Sequence, residues 1–138
     1  MSTAPNYLVF FLVIFFFFSA SKALKEHKQQ NDTVPIIHVI NGMAKNSEAI
    51  QVGCSSKSAQ NLDAPTLGYG QSHVWKVEFE KELYDCDGDW GNYFTYWHAY
   101  QPKRDTGRGA LFWLVKENGI FFSRDNTSWV RKAVWQYD

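Results

Sequence analysis

The residues best suited to chemistry sit close together. Asp85-Cys86-Asp87-Gly88-Asp89 sets three carboxylates at two-residue spacing around a cysteine. Acids so spaced match the opening of a calcium loop, where roughly six to eight oxygens must surround the ion. An EF-hand loop also needs glycine at its sixth position and a bidentate acid at its twelfth. Counted from Asp85, those positions are Trp90 and Tyr96, and no helical pattern flanks them. Asp85 to Gly91 therefore reads as a solvated acidic loop with no metal.

The other candidates are scattered. His27, His38, His73 and His98 have no metal-ligand spacing. No nucleophile elbow, phosphate loop or zinc-protease helix motif is present. A hydrolase would have to join isolated acids, Glu78 or Asp87, to His98, and no nucleophile offers itself. The chain reads as a non-enzyme with no catalytic residue and no cofactor. Its fourteen basic and fourteen acidic residues cancel. No polybasic stripe exists, so nucleic acid is not an expected partner.

The two cysteines, Cys54 and Cys86, are the remaining reactive groups. Their chemistry depends on the compartment, which the N-terminus addresses. Tyr7 to Phe18 is an uncharged apolar run, followed by small residues from Ser19 to Ala23. As a helix it would span about 18 Å, short of the roughly 30 Å bilayer core. It reads as a signal peptide, residues 1–23, cleaved after Ser21 or Ala23. No membrane insertion is expected, and the mature protein is secreted and extracellular. There an even cysteine count points to a Cys54–Cys86 disulfide, the alternative being two free buried thiols. Closing a loop of about 32 residues would stabilise the fold by roughly 3–4 kcal/mol.

These groups need a scaffold. Residues 24–34 read as a flexible polar arm. Asn31 in this arm and Asn126 further on head glycosylation sequons. From residue 35 to 138 the pattern is β-structure. Strands are expected at Ile36–Ile40, Glu48–Cys54, Ser72–Glu80, Tyr93–Tyr100 and Ser128–Tyr137, with a hairpin turning at Asn118-Gly119 between Ala110 and Arg124. In the third of these, Trp75, Val77 and Phe79 share the apolar face, opposite Lys76, Glu78 and Glu80. No apolar stripe of helical length exists. The expected fold is all-β: an antiparallel β-sandwich of seven to eight short strands, with Trp75, Phe79, Trp113 and Val115 in the core.

Tyr93 to Tyr100 is unusual. Phe94, Tyr96, His98 and Tyr100 share one parity, and Tyr93, Thr95 and Trp97 the other. A half-buried strand should not be aromatic on both faces. The favoured reading is a central strand covered on both sides. The alternative is an exposed aromatic patch, a contact surface for protein or glycan.

Residues 36–138 resemble the plant self-incompatibility S-protein homologues. The resemblance rests on order and spacing. It runs through "HVIN" ending at Asn41, then Cys54 with Ser56-Lys57, then Leu67, Gly70 and Trp75. Trp90-Gly91 before the aromatic strand follows, with Trp113, Val115 and Gly119 in the hairpin, and Trp129 and Trp135 at the end. Family members usually carry more cysteines, so their pairing does not transfer; Cys54 keeps the family position, and Cys86 joins it by count. The resemblance implies a small secreted β-sandwich that acts as a signalling or recognition ligand for a cell-surface membrane protein. A rigid sandwich can vary its loops without altering its core. The expected partner-binding loops are Ser55–Tyr69, the acidic Asp85–Gly91 (Asp85, Asp87, Asp89) and the basic Gln101–Gly109 (Lys103, Arg104, Arg108). A secreted glycan-binding module is the alternative, with a hydrolase behind it.

Overall fold

The apolar alternation of the chain builds two five-stranded sheets. In this computed structural model the described residues are 34–60 and 62–138. The signal peptide, nearly all of the arm and the Asn31 sequon lie outside them. The elements are β1 (Ile36–Asn41), β2 (Ile50–Ser55), β3 (Thr66–Leu67), β4 (Ser72–Lys76), β5 (Tyr84–Trp90), β6 (Tyr93–Tyr100), α1 (Pro102–Asp105), β7 (Ala110–Lys116), β8 (Gly119–Ser123), β9 (Val130–Ala133) and β10 (Gln136–Tyr137). The first sheet is ordered β4-β1-β7-β8-β9 and the second β10-β6-β5-β2-β3.

The fold is the expected β-sandwich. Every strand pairing is antiparallel except β1 with β7. Between those two strands the chain visits the second sheet twice, through β2–β3 and β5–β6, before returning beside β1. Val39, Trp113, Val115 and Ile120 from the first sheet meet Ile50, Val52, Tyr84 and Trp97 from the second in one core. Trp113 is fully buried, with its ring 4.8 Å from Phe122 and 6.1 Å from Trp97. Its indole N–H donates to the Ala99 carbonyl at 3.0 Å, a tie between the sheets. Trp75 and Val115 are buried as expected. Phe79 is only partly buried against the core.

Several boundaries differ from the sequence reading. The strand at Ser72 stops at Lys76, which pairs with Ile36. The next residue of β1's chain is Pro35, which accepts from Val77 N–H but has no N–H to return. The loop read at Asp85–Gly91 is instead a central strand, β5. The terminal strand is broken in two, β9 in the first sheet and β10 in the second. In the β7–β8 hairpin, Lys116 pairs with Gly119, so the turn is Glu117-Asn118, one residue earlier than expected. Gly119 has another duty: at φ 140° a Cβ would lie 2.6 Å from the Ala133 carbonyl, so glycine admits β9.

Two family-like positions acquire physical reasons. Asn41 is buried, donates through Nδ2 to Leu67 O at 2.9 Å, and accepts the Met43 N–H at Oδ1. It fastens the end of β1 to the β3 segment. Ser56, also buried, accepts the Ala59 N–H and closes the turn after β2.

Candidate contact surface

The acidic stretch takes its form from alternation. Tyr84, Cys86 and Gly88 point to the core, while Asp87 and Asp89 are exposed and Asp85 is half-buried. Cys86 lies directly opposite Cys54 across β5 and β2, and the two form a disulfide. The cross-link therefore fastens neighbouring strands at the middle of the sheet. Asp85, Asp87 and Asp89 are correspondingly set in a row on its outer surface rather than on a loop.

Strand β6 supplies the next row. Asp89 pairs with Phe94, Asp87 with Tyr96 and Asp85 with His98. Phe94 is 40% and Tyr96 56% exposed. The aromatic strand is thus uncovered on its outer face, contrary to the reading of a strand covered on both sides. Tyr100 departs from this parity. A register shift leaves Ala99 as an extra residue, and such a bulge turns the following side chain over. Tyr100 is consequently buried, its hydroxyl donating to Glu80 O at 2.7 Å.

At the far end of the hairpin, Gly91 takes φ 57°, a conformation that suits glycine. This explains the Trp90-Gly91 pair. Trp90 stacks on Tyr93 at 5.3 Å and leans on Trp135 at 5.6 Å, and Tyr93 meets Tyr137 edge-on. Tyr93 and Tyr137 remain exposed. The aromatic surface therefore continues around this edge of the sheet.

Beside the acid row, β2, β5 and the residues Gln60, Leu62 and Ala64 line a shallow pocket of about 420 Å³ with Tyr96 as one wall. Gly53 forms part of its floor. A Cβ there would lie 2.7 Å from Asp87 Oδ1, so glycine lets that carboxylate lie over β2.

His98 Nδ1 sits 2.5 Å from Asp85 Oδ1. This joins an acid to His98, but the acid is neither of those the hydrolase reading named. Glu78 lies along a different cleft with Lys76, Glu80 and Lys81. Asp87 keeps its place in the row. The side chains of His98 and Asp85 are 42% and 34% exposed, so water reaches both. No hydroxyl or thiol bonds His98 among the described residues, and both cysteines are in the disulfide. Among the described residues no group of three acid, histidine or cysteine side chains could hold a metal.

The basic connection, 101–109, contains the single turn α1. Asp105 is fully buried there. Its carboxylate accepts from Arg104 Nε at 2.7 Å, Gln101 N–H at 2.8 Å and Arg124 Nη2 at 3.2 Å. The Arg104 guanidinium lies 4.7 Å from the Phe122 ring centre and donates to His98 O. Arg104 is engaged inside the fold, while Lys103 and Arg108 stand exposed. Asn126 is also exposed, at φ 62°. The neighbouring Asp125 carboxylate accepts the Ser128 and Thr127 N–H groups, which hold its carboxyl well below the usual range.

Two stacked sheets, a disulfide across adjacent strands and an outward acid–aromatic row define a small cross-linked β-sandwich. A model of the family described as plant self-incompatibility protein S1 matches residues 36–135, and the chain belongs to that family. A solved structure of a self-incompatibility protein homologue shares the fold, with TM-score 0.62 and 19% identity over 75% of this chain and 95% of that one. It is described as one of a widespread family of small, highly stable, secreted proteins from plants. Secretion, the localisation expected from the sequence, agrees with this. The comparison with curated proteins returned no match.

Proposed function

We propose that this protein is a secreted, non-catalytic recognition ligand that docks on a cell-surface membrane protein through the outer face of β5 and β6. Its first 23 residues direct secretion and are removed, and Asn31 and Asn126 are open to glycosylation. The supporting observation is the paired row Asp85/His98, Asp87/Tyr96 and Asp89/Phe94 on a rigid, disulfide-linked sheet. Exposed aromatics side by side are costly in water and favour a contact surface. Aromatics are also the side chains that contribute most at protein interfaces.

Charge refines this reading. Lys103 and Arg108 stand exposed in the connection that follows β6, a basic patch beside the acid row in sequence. A neutral protein with opposite local patches orients its partner during encounter more than it tightens the final complex. Arg104 takes no part, being engaged by Asp105. The family supports a recognition role. The test is binding of labelled protein to intact plant cells. Tyr96→Ser with Phe94→Ser should lower affinity at least about tenfold, two lost anchors of roughly 1 kcal/mol or more each. Unchanged binding by that folded double variant would refute the surface.

A further inference from the structure

The pocket walled by Tyr96 is built differently from the flat row beside it. Its usable side chains are Tyr96, Leu62, Ser55, Gln60, Asp87 and Asp85, with Gly53 in the floor. No lysine or arginine lines it. One wall is an exposed aromatic ring, another is aliphatic, and the remainder offers a hydroxyl, an amide and carboxylate oxygens. We propose that this pocket binds a neutral saccharide. The proposal deepens the contact-surface reading and rests on it in placing the partner's chemistry on this face.

A sugar ring has an electron-poor C–H face and an edge of hydroxyls. The aromatic face is electron-rich, so Tyr96 suits the first. Carboxylate oxygens accept only, the amide of Gln60 both donates and accepts, and Ser55 does either; together they suit the second. Asp85 is already engaged by His98 at 2.5 Å. Asp87 is thus the carboxylate of the pocket with no side-chain partner among the described residues. A single such acid among uncharged groups suits a hydroxyl pair better than a strongly basic peptide. The acids also select by charge: a uronic acid or a phosphorylated sugar would place anion against anion. Gly53 sets where Asp87 lies, since a Cβ there would meet Asp87 Oδ1 at 2.7 Å and move the carboxylate. Phe94 lies two residues from Tyr96 on the same face, about 7 Å along the strand, so a longer glycan has a second ring to cross.

The experiment is an amide-resolved NMR titration of the mature protein. The probes are cellohexaose, xylohexaose, mannohexaose, hexagalacturonate and a hexa-arginine peptide. At least one neutral hexaose should shift the amides of Gly53, Ser55, Asp87 and Tyr96 saturably, the first two representing wall-type glycans and the third glycoprotein-type. Tyr96→Ala should weaken that binding about tenfold, the worth of one stacked ring, and Gly53→Ala should weaken it by displacing the Asp87 carboxylate, with the spectrum otherwise folded. Hexagalacturonate should bind at least tenfold more weakly, by the charge argument. The proposal is overturned if no neutral probe shifts these amides, if hexa-arginine alone does, or if hexagalacturonate binds equally well. Cell binding that depends on Tyr96 while every saccharide fails would remove the saccharide and leave the contact surface standing. Saccharide binding without cell binding would do the reverse.

Discussion

Two stretches of this chain are rich in charge, of opposite sign, and differ in what they do. The acidic one, Asp85 to Asp89, is a central strand whose carboxylates line an outer face. The basic one, around α1, turns inward: Arg104 and Arg124 converge on Asp105, which is 0% exposed. Charge in a sequence therefore does not say whether a group is presented or consumed by the fold. Position against a buried partner decides it. The acid row has two inward neighbours, Tyr84 and the disulfide-bonded Cys86, and among the described residues no cation draws Asp87 or Asp89 inward. The basic turn has a buried acid at its centre and the Phe122 ring beneath it.

The contrast breaks most visibly at Asp105. Asp105→Ala leaves Arg104 against apolar rings without its partner and should destabilise the domain by about 3–5 kcal/mol in denaturant unfolding. A loss below about 1 kcal/mol would place the basic turn on the surface with the acid row. Cys54→Ala with Cys86→Ala removes the support of the acid row and should cost about 3–4 kcal/mol in the same assay. Two tryptophans sharpen the comparison between held and unheld polar groups. Trp113 N–H reaches Ala99 O, whereas Trp97 Nε1 has no acceptor among the described residues. Trp113→Phe should therefore cost about 1–2 kcal/mol more than Trp97→Phe, read from paired melting curves.

Within the acid row the effect should nearly vanish. Asp87→Asn should change stability by no more than about 0.5 kcal/mol, while altering what the face binds. The smallest effect lies on the opposite sheet. Burial lowers the His38 imidazole, stacked at 4.7 Å on Phe112, and also lowers His73, where Asp63 opposes the shift. Both are neutral in the fold at neutral pH, so the unfolded chain takes up protons first. Stability should be complete above about pH 6.5 and decline as pH falls through the folded values. His38→Gln should flatten part of that slope in melts between pH 7 and pH 5; an unchanged slope would contradict it.

The sandwich was legible because its apolar strands alternate cleanly. Trp75 and Val77, and Trp113 and Val115, each declare one buried face. The disulfide followed from count and compartment, although its geometry did not. Asp85-Cys86-Asp87-Gly88-Asp89 also alternates, and that was the available signal for β5. Acidic and glycine composition outweighed it, because such residues usually mark loops. Tyr100 could not be placed by parity, since a one-residue bulge is a tertiary event. Nor could the role of Arg104 be read locally: Asp105 is adjacent in sequence, but Phe122 and Arg124 come from another hairpin. The pocket depended on Gly53 and Asp87 meeting across two strands, a pairing that only the register supplies.

The most direct measurement compares the two stretches in one binding assay. Labelled mature protein is titrated onto intact plant cells as the parent, as Tyr96→Ser with Asp87→Asn, and as Lys103→Ala with Arg108→Ala. All three are first matched for folding by near-ultraviolet circular dichroism. The face variant should lose affinity at least about tenfold. The basic-turn variant should fall by less than about threefold, mainly through slower association at low salt. Full affinity in the face variant together with a large loss in the basic-turn variant would contradict the proposed contact surface.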